Sequence, residues 1–148
     1  MNALPPRDRA SETGSGKGWR LNVTVLPSRF AVCKLDALAP SPEWGLRGPF
    51  GAITRTESEL CVICPERDVP PTVERTSGWR ALRIAGQLDH AHASGVLLTA
   101  AEPLARAGIP IFPVTASASG FVFVREEHLA RAIETLAQWG HQIREIST

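Results

Sequence analysis

No stretch of this 148-residue chain holds the roughly 18 consecutive apolar residues that a membrane-spanning helix needs. Neither sign of charge is in excess. Sixteen Lys and Arg stand against fifteen Asp and Glu, a formal net charge of +1, and the two signs are interleaved along the chain. With no basic stripe to neutralise phosphates, nucleic acid is not an expected partner. Cysteine is scarce: there are three, which cannot all pair, and nothing ahead of them has the apolar core of a secretory signal. Reduced thiols in a cytoplasmic protein are therefore expected. The length suits one compact domain, or two small ones sharing a core. A content of 43% hydrophobic and 21% charged residues argues against wholesale disorder.

Residues 1–18 mix Pro, Gly, Ser and charges, with Met1 and Leu4 as the large apolar side chains. They have too little to bury to offset the entropy of ordering, so a flexible tail is expected, with structure beginning at Trp19. The second half is easier to read because its apolar period switches between two and 3.6. Residues 81–84 read as a strand and 85–93 as a loop. From Ser94 and Gly95 the residues Val96, Ala100 and Leu104 mark a helix face, with Ser94 as the expected cap. Pro103 falls inside that helix and deprives the Thr99 carbonyl of its usual donor. Gly108 is free to turn left-handed at the end of the helix, with Ile109 folding back.

Residues 109–115 and 121–124 read as a hairpin. Residues 126–139 carry Leu129, Ala132, Ile133 and Leu136 at the spacing of a buried helical stripe, with glutamates in the first turn. Gly140 stops this helix, and 141–146 return as a short strand. Strand, helix, strand, strand, helix, strand is the split βαβ order, an antiparallel four-stranded sheet with both helices on one face.

The first half is richer in strands. Leu21, Val23 and Val25 alternate; residues 26–29 read as a turn, and 30–35 as a second strand. Ser41, Pro42 and Glu43 mark one short helix at Trp44. Residues 51–56 and 60–64 read as another hairpin, and 68–78 as a Pro, Thr and Glu linker. With so little helix this half cannot cover a sheet face alone, so a shared core is expected. The expected divisions are a tail at 1–18, a first unit at 19–67, a linker at 68–78 and a second unit at 79–148.

Several constellations carry possible chemistry. Cys61 and Cys64 match C-x-x-C, a redox or half-zinc spacing, but in an extended segment residues three apart point to opposite faces, and Cys33 is a third thiol with no partner motif. Buried structural cysteine is the default, with a thiol or metal protein as the alternative. Asp89, His90 and His92 offer a thin ligand set on a loop, with His128 and His141 on other elements. No nucleophile elbow or Cys-His-Asn order is present, and the glycines at 14, 16 and 18 lack the spacing of a phosphate loop. Trp19, Trp44, Trp79 and Trp139 each fall at an element's end, where large rings seal core edges. The loop 86–95 ends at a helix start, whose free amides near Ser94, Gly95 and Val96 suit a carboxylate. Gly86 and Gly95 either let a ligand approach or merely permit a tight chain path.

Residues 82–86 (LRIAG), 94–97 (SGVL) and 103–111 (PLARAGIPI) resemble the ACT domain, a regulatory module that usually binds amino acids. The stretches FAVCKL at 30–35, GPF at 48–50, TRT at 54–56, ELCVICPE at 59–66 and GWRALR at 78–83 are similar to bacterial relatives of the cytosolic arginine sensor, the CASTOR-type tandem ACT proteins. The resemblance runs from about Leu21 to His141. It implies an α+β, ferredoxin-like (βαββαβ) fold in two ACT-like units sharing one sheet, the first degenerate. It further implies a small amino acid or similar carboxylate held at the interface between units, a homodimer, no catalysis and no cofactor or metal.

The ligand-binding residues this implies are Gly86, Asp89, Ser94, Gly95, Val96, Val114 and Thr115. A carboxylate sits on the amides of Gly95 and Val96, and Asp89, Ser94 and Thr115 complete the polar contacts. The chain departs from the family at 115–120 (TASASG), where relatives carry acids that meet an amino group and where Ala118 and Gly120 supply no charge. A ligand ammonium buried without an anionic partner is costly. The alternative is therefore a structural interaction module whose pocket has decayed.

Overall fold

The computed structural model describes residues 20–85, 93–117 and 119–146. It is a sheet-rich α+β structure. The elements run β1 (Asn22–Leu35), β2 (Ala52–Arg55), β3 (Leu60–Pro65), β4 (Arg75–Ala85), α1 (Ala93–Arg106), β5 (Ile111–Thr115), β6 (Gly120–Arg125), α2 (Leu129–Gln138) and β7 (Gln142–Glu145). Single 3₁₀ turns lie at Glu43–Leu46, Glu66–Asp68 and Glu126–His128. The chain divides into two compact units. One takes the described residues up to Pro27 together with those from Ala81 onward, and the other is Ser28–Arg80. The division read from the sequence put the first strand with residues 28–67; in the structure its opening residues belong with the C-terminal ones.

The discontinuous unit holds a sheet in the order β7, β1, β4, β6, β5. One face packs on α1 and α2. Leu21, Val23, Val25, Leu82, Ile84, Val122 and Val124 from the strands meet Val96, Ala100, Leu104, Ala132 and Leu136 from the helices. These side chains follow the periods of two and 3.6 that their elements require. The sheet is not the all-antiparallel four-stranded one expected. β7 pairs with β1, and in parallel, from Asn22 opposite Gln142 to Val25 opposite Glu145. Alternation of apolar residues fixes which face of a strand is buried but says nothing about which strand lies beside it.

The expected turn at 26–29 is also absent. β1 is one strand of 14 residues that runs through Pro27. Its pairing with β7 ends at Val25, and its pairing with β3 begins at Phe30. Between them one edge of the strand carries neither ladder, so a residue without an N–H is tolerated there.

Helix α1 starts at Ala93, one residue earlier than expected, which places Ser94 inside the first turn rather than at the cap. Its end follows the sequence reading: Gly108 has φ +71°, and the Ile109 amide donates to the Leu104 carbonyl at 3.0 Å. Gly140, with φ +90°, ends α2 in the same way, the His141 amide donating to the Leu136 carbonyl at 3.1 Å.

The Ser28–Arg80 unit pairs β2, β3 and the second half of β1 in antiparallel register. Its core is Ala31, Cys33, Val62, Cys64 and Val69, with Trp44 and Ile53 against it. No α-helix occurs in it. The expected short helix is the 3₁₀ turn at Glu43–Leu46, and its N-cap is Pro42, without a side-chain bond, rather than Ser41. Gly45 lies so close to β3 that a β-carbon there would stand 2.7 Å from Val62 Cγ1. The last four residues of the expected linker at 68–78 are strand, since β4 already begins at Arg75.

His141 fastens the two ends of the described chain. The Leu21 amide donates to its Nδ1 at 3.1 Å, the Gln142 amide donates to the Leu21 carbonyl at 2.9 Å, and Arg20 Nε donates to the Gly140 carbonyl at 2.9 Å. Accepting at Nδ1 requires that ring nitrogen to be unprotonated. Nε2 lies near the Thr99 carbonyl, which Pro103 leaves without its helical donor, though not in hydrogen-bond geometry. Burial lowers the His141 pKa from 6.5; the Thr99 carbonyl opposes this and Arg20 adds to it.

A lowered folded pKa means that the unfolded chain binds the proton first. Stability contributed by neutral His141 is therefore whole above pH 6.5 and is lost as the pH falls from there towards the lower folded value. Urea midpoints measured from pH 8 to 5 are expected to fall in that window. His141→Ala is expected to cost about 1–3 kcal/mol at pH 7.5, by stranding the Leu21 amide, and to flatten the pH dependence. An unchanged slope in the variant would remove His141 as its source.

Candidate functional site

The end of β4, the first turns of α1 and the β5–β6 turn converge on a depression of about 280 Å³, its mouth included. It is lined by Ile84 at the end of β4, Val96 and Leu97 in α1, and Thr115, Ala116, Ser119 and Gly120 around the hairpin turn. The wall is mainly apolar. Val96 is 6% exposed and Ile84 1%, both fixed in the core between sheet and helix. Thr115 and Ser119 bring hydroxyl groups, and no charged side chain lines the pocket among the described residues.

The turn is held by the Ala116 amide, which donates to the Ser119 carbonyl at 2.8 Å, and by the pairing of Thr115 with Gly120. At the helix the first-turn amides point back along the axis with no partner inside α1, so an anion placed there meets free N–H groups and positive partial charge. The Thr99 hydroxyl donates to the Gly95 carbonyl at 2.7 Å, which steadies that turn.

Of the residues singled out from the sequence, Val96 and Thr115 line the depression. Gly95 is the half-buried residue before Val96, and Val114 is the half-buried residue before Thr115; neither lines it. Ser94 lies in the first turn by its backbone. Gly86 and Asp89 lie outside the described residues, as does Ala118. Sequence reading did not pick out Ile84, Leu97, Ala116, Ser119 or Gly120 as lining residues. A signal existed for Ala116, Ser119 and Gly120, because 115–120 is the segment where this chain departs from its relatives. Ile84 and Leu97 carried only the signal of core positions.

Residues 74–138 match the family model described as the ACT domain, a regulatory rather than catalytic module, and residues 28–72 match a second model described as an N-terminal domain. No curated protein matches the chain. Among solved structures, a protein from Agobacterium tumefaciens is 28% identical with a TM-score of 0.81, over 88% of this chain and 97% of that one. A protein of unknown function from Vibrio cholerae, described as a possible transport protein, is 17% identical with a TM-score of 0.65, over 80% and 89%. The regulatory subunit of aspartate kinase from Thermus thermophilus, in its ligand-free form, is 14% identical with a TM-score of 0.52, over 76% and 91%. The last two are likenesses of fold. No helix among the described residues is long and apolar enough to cross a membrane.

The cysteines form a different arrangement from C-x-x-C. In the ladder Cys61 lies opposite Lys34 and Cys64 opposite Ala31, so the two sulfurs take opposite faces of β3. Cys33, read from sequence as a lone thiol, lies in the same buried core cluster as Cys64. Burial raises all three thiols, Cys64 to about 12. Among the described residues no group of three or more Cys, His, Asp or Glu is placed to hold a metal ion. Thiols held protonated are poor nucleophiles. An aromatic disulfide reagent at pH 8 is therefore expected to leave Cys33 and Cys64 unmodified in the native chain and to modify all three cysteines in denaturant. Rapid native reaction at Cys64 would show that the core does not protect it.

Proposed function

We propose that this chain is a non-enzymatic regulatory module that binds a small amino acid, or a similar carboxylate, in the depression between the first turn of α1 and the β5–β6 turn. One observation carries the reading: the depression falls inside the stretch 74–138 that matches the ACT domain, at a helix start flanked by Val96 and Thr115. The likeness of fold to a kinase regulatory subunit supports it. The ligand carboxylate sits against the amides of Gly95 and Val96. Thr115 and Ser119 supply hydroxyls, and Val114 supports the strand that carries Thr115. Ser94 and Gly86 complete the loop side, and Asp89 is the acid that meets the ammonium.

The chain acts in the cytoplasm as a homodimer, and the ligand shifts the population of its packing against a second copy. Kinship with the tandem amino-acid sensors belongs to the same proposal. A structural module with a decayed pocket is the second reading. It is favoured by one observation, that Gly120 stands in the pocket wall where an acid would otherwise meet the ammonium.

A thermal-shift screen of the twenty amino acids, followed by calorimetry, separates the two readings. A binder gains about 2.7 kcal/mol at a ligand concentration one hundred times Kd. Ala116→Trp, on the exposed turn at the mouth, is expected to abolish that gain while leaving the melting temperature without ligand within a few degrees. Silence across all twenty would leave the decayed pocket as the reading.

A further inference from the structure

We propose that a second site, on the sheet face of the discontinuous unit turned away from α1 and α2, binds the phosphate group of a small molecule between Arg83 and Arg144. The inner residues of these strands, Val23, Ile84 and Ile143 among them, belong to the core beneath the helices. Alternation then sends Asn22, Thr24, Arg83, Ala85, Gln142 and Arg144 to the opposite face. There they line an open hollow of about 1080 Å³, its mouth included.

β1 lies between β4, which carries Arg83, and β7, which carries Arg144. Two strand spacings, about 10 Å, separate β4 from β7 across β1, and both arginines line the same hollow. Thr24 stands opposite Arg144 in the ladder, and Asn22 stands opposite Gln142. The floor of the hollow is therefore a block of hydroxyl and amide donors flanked by two cations.

Two features make this more than a solvated face. Thr24 is only 9% exposed, although it lies on the face turned away from the helices. Among the described residues no carboxylate lines the hollow beside the two guanidinium groups. Glu145, the nearest acid in β7, alternates to the other face. Like charges gathered on one sheet face disfavour each other. A phosphate group of about two negative charges balances the pair and accepts from both forks and from the Thr24 hydroxyl. The site shares no lining residue with the depression at α1, so it stands or falls separately from the amino-acid reading.

The test is a ¹⁵N-labelled titration of the full chain with inorganic phosphate at pH 7.5, at constant ionic strength set with sodium chloride. Saturable shifts of the Asn22, Thr24, Arg83 and Arg144 amides are expected, with chloride alone giving none. The single variants Arg83→Gln and Arg144→Gln are each expected to weaken binding about tenfold, the loss of one charge-assisted contact. Thr24→Val keeps the shape of the buried side chain and is expected to weaken binding less. Shifts that are absent, that fail to saturate, that follow chloride equally or that persist undiminished in both arginine variants would overturn the proposal.

Discussion

The C-terminal unit closes only because the start of the chain is inserted into it. Leu21, Val23 and Val25 enter the core beneath α1 and α2, and β7 has β1 as its partner in the sheet. Burying each such side chain contributes about 1.5–3 kcal/mol, so the three together rival the whole net stability of an ordinary domain, about 5–15 kcal/mol. His141 secures the insertion with a single acceptor atom. Its Nδ1 accepts from the amide of Leu21, the residue before β1, while the chain on either side of it is bonded to Leu21 and Arg20. A buried imidazole in that role keeps its function only while neutral, which ties the integrity of the unit to a group whose protonation its burial opposes.

The candidate pocket inherits its shape from that core. Ile84 and Val96 are core residues first, and the depression is what remains where β4, α1 and the β5–β6 hairpin do not fill the space between them. The left-handed glycine at 108 ends α1 and leads into β5, which delivers Thr115 to the pocket from the far end of the strand. A site built in this way is rigid on its helix and strand sides. Among the described residues its polarity rests on backbone amides and hydroxyls rather than on charged side chains.

Local chemistry was legible residue by residue. The stripe of Leu129, Ala132, Ile133 and Leu136, the turns at Gly108 and Gly140, and the β5–β6 hairpin lie where periodicity and turn residues put them. Val96 and Thr115 were found because a helix start after a strand and a hydroxyl at a hairpin end are local signals. Ile84 and Leu97 were missed as pocket residues because a pocket wall and a core position carry the same apolar signature. Pro27 misled, since proline reads as a turn unless the pairing on either side of it is known.

Side-chain type and contacts a few residues apart were enough to set both helices, the buried face of most strands and the balance of charge. Only the tertiary structure decided that β1 serves both compact units, that β7 runs parallel to it, and that Cys33 meets Cys64 rather than Cys61 doing so. It alone set Arg83 and Arg144 on either side of Thr24. A strand's alternation specifies a face and leaves its neighbour free. That choice is made by how many apolar side chains the assembled sheet buries, a property of residues up to 120 positions apart.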